Sequence, residues 1–189
     1  MLSYIYSLPP RQMIYLFFRY IYALPLRQII ALMLITVPMW SFGQLRRGWG
    51  LRSWRAVNGL LAALSVALIL FMTLFHRSSE DSQVILTPFY SFVLAQRNPE
   101  LYREMLMNVL LFFPLGLSLS SALPDRLSVG RRFACTVLAA LLLSLTVELC
   151  QMIFSLGLSE TDDLLTNTFG AALGASQLPL SRLLWKLKR

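Results

Sequence analysis

Long apolar runs broken by few charges dominate the pattern of this chain. The clearest run, residues 56–75 (AVNGLLAALSVALILFMTLF), holds twenty residues without a charge. As a helix it matches a hydrocarbon core of about 30 Å. Residues 133–156 form a second, longer run that carries Glu148 and Gln151, and residues 105–123 a third that contains Pro114. Residues 29–42 are shorter, reach spanning length only when extended over 26–44, and contain Pro38; residues 164–180 are short and rich in Gly, Ala and Thr. The pattern predicts an all-α fold, a polytopic membrane helical bundle of about five transmembrane helices.

Ahead of these runs the sequence repeats itself, YIYSLPPRQMI at 4–14 returning as YIYALPLRQII at 20–30. A shift of sixteen residues rotates equivalent positions by about 160°, so the two copies cannot form one continuous helical stripe. Pro9 and Pro25 confine the intervening piece to about fifteen residues, with Arg19 in its middle and aromatic residues around it. It is too short to cross unaided and suits an interfacial helix among lipid headgroups. The expected organisation is therefore an interfacial N-terminal segment at 1–25, a five-span membrane domain at 26–180 and a basic tail at 181–189.

Composition agrees: 57% of the 189 residues are hydrophobic and 14% charged, against roughly 25% charged in a soluble domain, and the mean hydropathy is +0.62. A water-facing globule is excluded. With five spans, eleven of the 17 basic residues fall on the side of the C-terminus and six on the other. The excess places the C-terminus in the cytoplasm and the N-terminus outside, as the positive-inside rule of bacterial-type polytopic membrane proteins requires. The RRGWGLRSWR stretch at 46–55 resembles a nucleic-acid patch, but arginines beside Trp49 and Trp54 at a membrane edge equally suit lipid headgroups, and no nucleic acid is expected as a partner. Cys135 and Cys150 sit about 22 Å apart on one helix, too far for a disulfide. With a single histidine and no nucleotide, hydrolase or zinc motif, neither a cofactor nor a metal is expected.

Several polar residues lie where a bilayer should exclude them. Glu148 falls roughly 12 Å below the outer end of its run, where an unpaired carboxylate costs about 2.5–3.5 kcal/mol. Gln151 shares its face. Asp163 and Asn167 share a face on the last run, and Asn108 lies at similar depth on the third. Their convergence predicts one connected polar cavity, open outward and with Glu148 deepest, with Asn108, Glu148, Gln151, Asp163 and Asn167 as ligand-binding candidates. The alternative is interhelical bonding by the amides. Gly170 and Gly174 form a GxxxG that suits close helix packing, and Pro114 should kink its helix.

At these residues the chain resembles the VanZ-like family of bacterial membrane proteins. The similarity runs through LTPF (86–89), NVLLFFPLG (108–116, with Pro114 and Gly116), ELCQ (148–151) and DLLTNTFGAALG (163–174), in that order and spacing. Members commonly carry an arginine between the glutamine and the last block, whereas 152–161 here reads MIFSLGLSET without a basic residue. The resemblance implies an integral membrane protein of the cell envelope whose namesake reduces susceptibility to the lipoglycopeptide teicoplanin. Expected partners are membrane lipids and a lipid-linked cell-wall precursor or a glycopeptide. An intramembrane enzyme using Glu148 and Asp163 as acid and base is a second reading. A proton-coupled transporter using Glu148 is a third, although no inverted repeat is visible.

Overall fold

The apolar runs become helices in the computed structural model, which describes residues 25–45, 51–75, 84–156 and 158–187. Helix α1 is Leu26–Leu45. Helix α2, Leu51–Leu70, widens into a π turn at Phe71–Phe75. A two-residue strand β1 (Val84–Ile85) leads to the short α3 (Tyr90–Ala95) and then to α4, Pro99–Ala122. Asn98 starts α4 by accepting from the backbone N–H of Glu100 at 3.1 Å, and Pro99 follows at the position where a missing N–H costs nothing. Helix α5, Val129–Phe154, is capped by Ser128 and ends at Ser155 in the left-handed region (φ 52°). Strand β2 (Ser159–Glu160), α6 (Thr161–Ala175) and α7 (Gln177–Leu187) complete the order.

Among the described residues three helices are long and apolar enough to cross a membrane: Ser53–Leu74, Glu100–Ala122 and Val129–Phe154. The apolar part of α1, Leu26–Ser41, is shorter. The run expected at 164–180 is not one helix. Pro179 accounts for the break, because in a continuous helix its ring would collide with the carbonyl of residue 175, where α6 ends. Residues 181–187, expected as part of a tail, continue in α7. The interfacial segment expected at 1–25 lies outside the described residues apart from its final Pro25.

Helix α4 stands at the centre. Phe112 and Leu115 pack with Ala62 and Ile69 of α2, Ala140 and Val147 of α5 and Ala171 of α6. On its other side Val109, Phe113 and Leu117 meet Ile29, Met33 and Val37 of α1. Leucines at 138, 142, 145 and 149 on α5 and apolar residues at 32, 34, 35 and 39 on α1 stay exposed, as suits helices facing acyl chains.

The α4–α6 contact is a seam of small residues. A Cβ at Gly170 would strike the carbonyl of Val109, one at Gly116 the carbonyl of Ala171, and one at Gly174 would meet Phe113 and lie 2.8 Å from the backbone nitrogen of Leu117. The helices approach backbone to backbone. Pro114, by contrast, sits on the exposed side of α4, and Ser118 donates to its carbonyl at 2.7 Å rather than to that of Leu110.

The two ends of the bundle differ in charge. At one end the buried Arg132 pairs with Asp125 at 3.0 Å and donates to the carbonyl of Ser120 at 2.8 and 3.1 Å, placing a cation on the negative end of α4. Gln177 donates there to the hydroxyls of Ser120 and Ser121, both at 3.0 Å, and Trp40 donates to Ser121 at 3.2 Å. At the opposite end α5 finishes, α6 begins, and the acidic residues gather.

Candidate functional site

The acidic end is built from turns that bring carboxylates back onto backbone donors. Ser155 reverses the chain at the end of α5, and the N–H of Leu156 closes onto the carbonyl of Gln151 at 2.9 Å. The returning segment reaches Glu148, one turn back along α5. Its Oε2 accepts from the hydroxyl of Ser159 at 2.9 Å and from the backbone N–H of Glu160 at 3.0 Å. Glu148 is only 8% exposed, so its carboxylate faces protein, as its position in the sequence required.

Two residues further on, Asp162 does the same for the segment before α3. Its oxygens accept from the backbone N–H of Phe89 at 2.6 Å and of Ser91 at 2.8 Å. Phe89 holds a left-handed conformation (φ 63°), which an aromatic residue adopts against its preference, and the buried carboxylate holds it there. The hydroxyl of Ser91 donates to Glu160 at 2.6 Å. Strands β1 and β2 pair in parallel, Val84 with Ser159 and Ile85 with Glu160. Glu148, Ser159, Glu160, Ser91 and Asp162 thus form one chain of hydrogen bonds that fastens two loops to the end of α5.

The remaining expected residues occupy the same end in further contacts. Asn108 donates to Asp163 at 2.6 Å, joining α4 to α6. Asn167 donates to Ser144 at 2.9 Å, joining α6 to α5 one turn deeper than Asp163 and Glu148. The deepest of these contacts is therefore the Asn167 amide, not Glu148. Gln151 donates to the carbonyl of Thr73 at 3.0 Å and so receives the end of α2, where carbonyls lack helical partners. The side-chain oxygens of Gln151 and Asn167 are buried without a hydrogen-bond partner. Asn108, Glu148, Gln151, Asp163 and Asn167 thus share one end of the bundle, in several local contacts.

Sequence reasoning assigned no role to Asp162, Ser91, Ser159 or Phe89. An acid in the first turn of a helix reads as a partner of that helix's own N-terminus, so Asp162 gave no sign of a segment more than seventy residues earlier. Among the described residues no three His, Cys, Asp or Glu side chains gather as a metal site would require. Beside the hydrogen-bonded chain lies a groove of about 600 Å³, walled by α1, α4, α6 and the Phe89–Phe92 segment. Its lining is apolar; the hydroxyl of Thr166, which borders it, donates to the carbonyls of Asp162 and Asp163 in its own helix.

Comparison with known proteins finds the family model described as VanZ/LLP1 over residues 58–182, about two thirds of the chain. That stretch contains the whole hydrogen-bonded chain of the acidic end and the glycine seam. Over 80 residues the chain is 39% identical to Protein VanZ of Enterococcus faecium, a match that covers 42% of this chain and 47% of that protein. The chain thus spans about half the length of the curated relative it matches. No solved structure matches.

Proposed function

The chain belongs to the VanZ/LLP1 family of membrane proteins, and from that premise we propose that it is a multi-pass protein of the bacterial cytoplasmic membrane. Its acidic end faces outward, its C-terminus lies in the cytoplasm, and it lowers susceptibility to teicoplanin-type glycopeptides by engaging a lipid-linked or surface ligand at the acidic end. The carrying observation is the likeness to Protein VanZ together with the family match over that entire end. We favour a binding role over the acid–base reading because Glu148 accepts from Ser159 and Glu160 and Asp163 accepts from Asn108, so both carboxylates of that pair already serve the chain's own contacts. The test is expression in a teicoplanin-susceptible Gram-positive host. The inhibitory concentration of teicoplanin should rise several-fold, and an unchanged value with the protein present in the membrane fraction would overturn the reading.

Orientation is tested separately. Ser159 is buried against Glu148 and would make a poor reporter, whereas Glu100 and Arg126 are exposed at opposite ends of α4. With Cys135 and Cys150 replaced by alanine, an impermeant maleimide on intact cells should label Glu100→Cys and spare Arg126→Cys. The reverse pattern would invert the topology.

A further inference from the structure

We propose that the apolar groove at the acidic end seats one acyl chain of an anionic membrane lipid, whose phosphate lies by the basic side chains at the mouth. Of the functional reading above only the membrane placement enters here, and the readout involves no antibiotic, so the two fail separately. The volume of about 600 Å³ lies within the range of ligand sites, roughly 300–1,000 Å³. Ile30 of α1, Leu106 and Val109 of α4, Phe169 of α6, and Phe89 and Phe92 line it. Such a lining, with Tyr102 and Thr166 its polar-tipped members, suits hydrocarbon, and in a membrane-spanning chain acyl tails are the hydrocarbon at hand.

The groove has a built wall. Phe89 stands at its edge because the buried Asp162 carboxylate holds the backbone at Phe89 and Ser91, presenting an aromatic residue that is 60% exposed. Phe92 packs edge-on against it, with ring centroids 5.8 Å apart. The aromatic pair closes one side of a space that α1, α4 and α6 leave open between them.

Charge around the mouth selects the headgroup. On α4 the groove residues Tyr102, Met105, Leu106 and Val109 share one face. At about 100° per residue, Glu100 and Glu104 point to the opposite side and Arg103 lies on the flank. On α1 the exposed Arg27 comes three residues before Ile30 and one after Leu26, placing it beside the groove in the first turn. Among the described residues, the acids beside the groove are already taken up by the chain, Asp162 by the N–H groups of Phe89 and Ser91, Glu160 by the Ser91 hydroxyl and Asp163 by Asn108, whereas Arg27 is exposed at its edge. A cation at the membrane surface favours anionic over zwitterionic lipid by about fivefold.

The test uses the full-length protein in phosphatidylcholine bilayers containing a trace of lipid with a diazirine in its acyl tail, as phosphatidylglycerol or phosphatidylcholine. After photolysis, peptides covering 89–92 and 102–109 should carry about fivefold more phosphatidylglycerol than phosphatidylcholine label. Arg27→Glu should remove that preference. Ile30→Trp and Leu165→Trp, at exposed positions of the lining, should each cut the labelling several-fold, while Leu142→Trp on the exposed face of α5 leaves it unchanged. Equal labelling by the two lipids in the wild type would overturn the proposal, as would labelling that neither groove substitution reduces, which would mark ordinary boundary lipid. So would capture, by a benzoylphenylalanine at position 30, of a peptide from residues 1–24 or from a second copy in place of lipid.

Discussion

Gly170→Leu and Gly174→Leu should abolish the folded protein, and the smallest added side chain, Gly170→Ala, should already cost about 3 kcal/mol, the upper end of the usual range for overpacking. The reason is geometric. At Gly170 the atom in the way is the carbonyl oxygen of Val109, and its carbon and Cα lie 2.9 Å from where the new Cβ would be. Backbone cannot rotate aside as a side chain can, so α4 and α6 must separate. Phe112 and Ala171 share one core cluster, which such a separation would open. Gly59, where an added Cβ would meet nothing within 4 Å, supplies the control: Gly59→Ala should leave stability unchanged or raise it slightly. The measurement is the fraction of monodisperse protein after graded heating in detergent. Equal behaviour of Gly170→Ala and Gly59→Ala would show that the seam is not close-packed.

The second large effect falls on the carboxylates. Asp162→Ala leaves the N–H groups of Phe89 and Ser91 without their acceptor, and a buried donor so stranded costs about 1–3 kcal/mol. A loss of about 3 kcal/mol is expected, with Asp162→Asn losing roughly half, since an amide offers one oxygen where the acid offers two. Glu148→Leu should be comparably damaging because it strands the hydroxyl of Ser159 and the N–H of Glu160. Glu148→Gln should be mild. The donors Ser159 and Glu160 converge on one oxygen of Glu148, and glutamine supplies an oxygen for them. Thermal midpoints of the four variants check this ordering. If Glu148→Gln were as unstable as Glu148→Leu, the ionised group rather than its shape would hold the turn.

What the sequence reveals and what it hides divide along physical lines. Apolar runs at 56–75, 105–123 and 133–156 announce helices because a bilayer tolerates little else, and the structure has them. The GxxxG spacing announces a close contact, and Gly170 and Gly174 both make one. Proline at 179 is equally visible, yet a run of small apolar residues masks it when 164–180 is read as a single span. The polar residues can be placed at one end because helical spacing fixes which of them share a face. Their partners are not legible. Ser144, Thr73 and the backbone of 89–91 are brought to Asn167, Gln151 and Asp162 by tertiary folding, and no local pattern distinguishes a serine on the lipid side of a helix from one facing a neighbour.

The shortness of α6 implies an order of assembly. Helices α2, α4 and α5 each contain a stretch long and apolar enough to enter the bilayer alone. Helix α6 has fifteen residues, two of them acids in its first turn and an asparagine one turn later; by itself it would meet hydrocarbon with those groups unsatisfied. Asn108 and Ser144, which receive Asp163 and Asn167, come with α4 and α5, as does the groove of backbone into which Gly170 and Gly174 fit. Under the proposed multi-pass placement, integration would be sequential: the independent helices would insert first, and α6 would follow once its hydrogen-bond partners stood at depth.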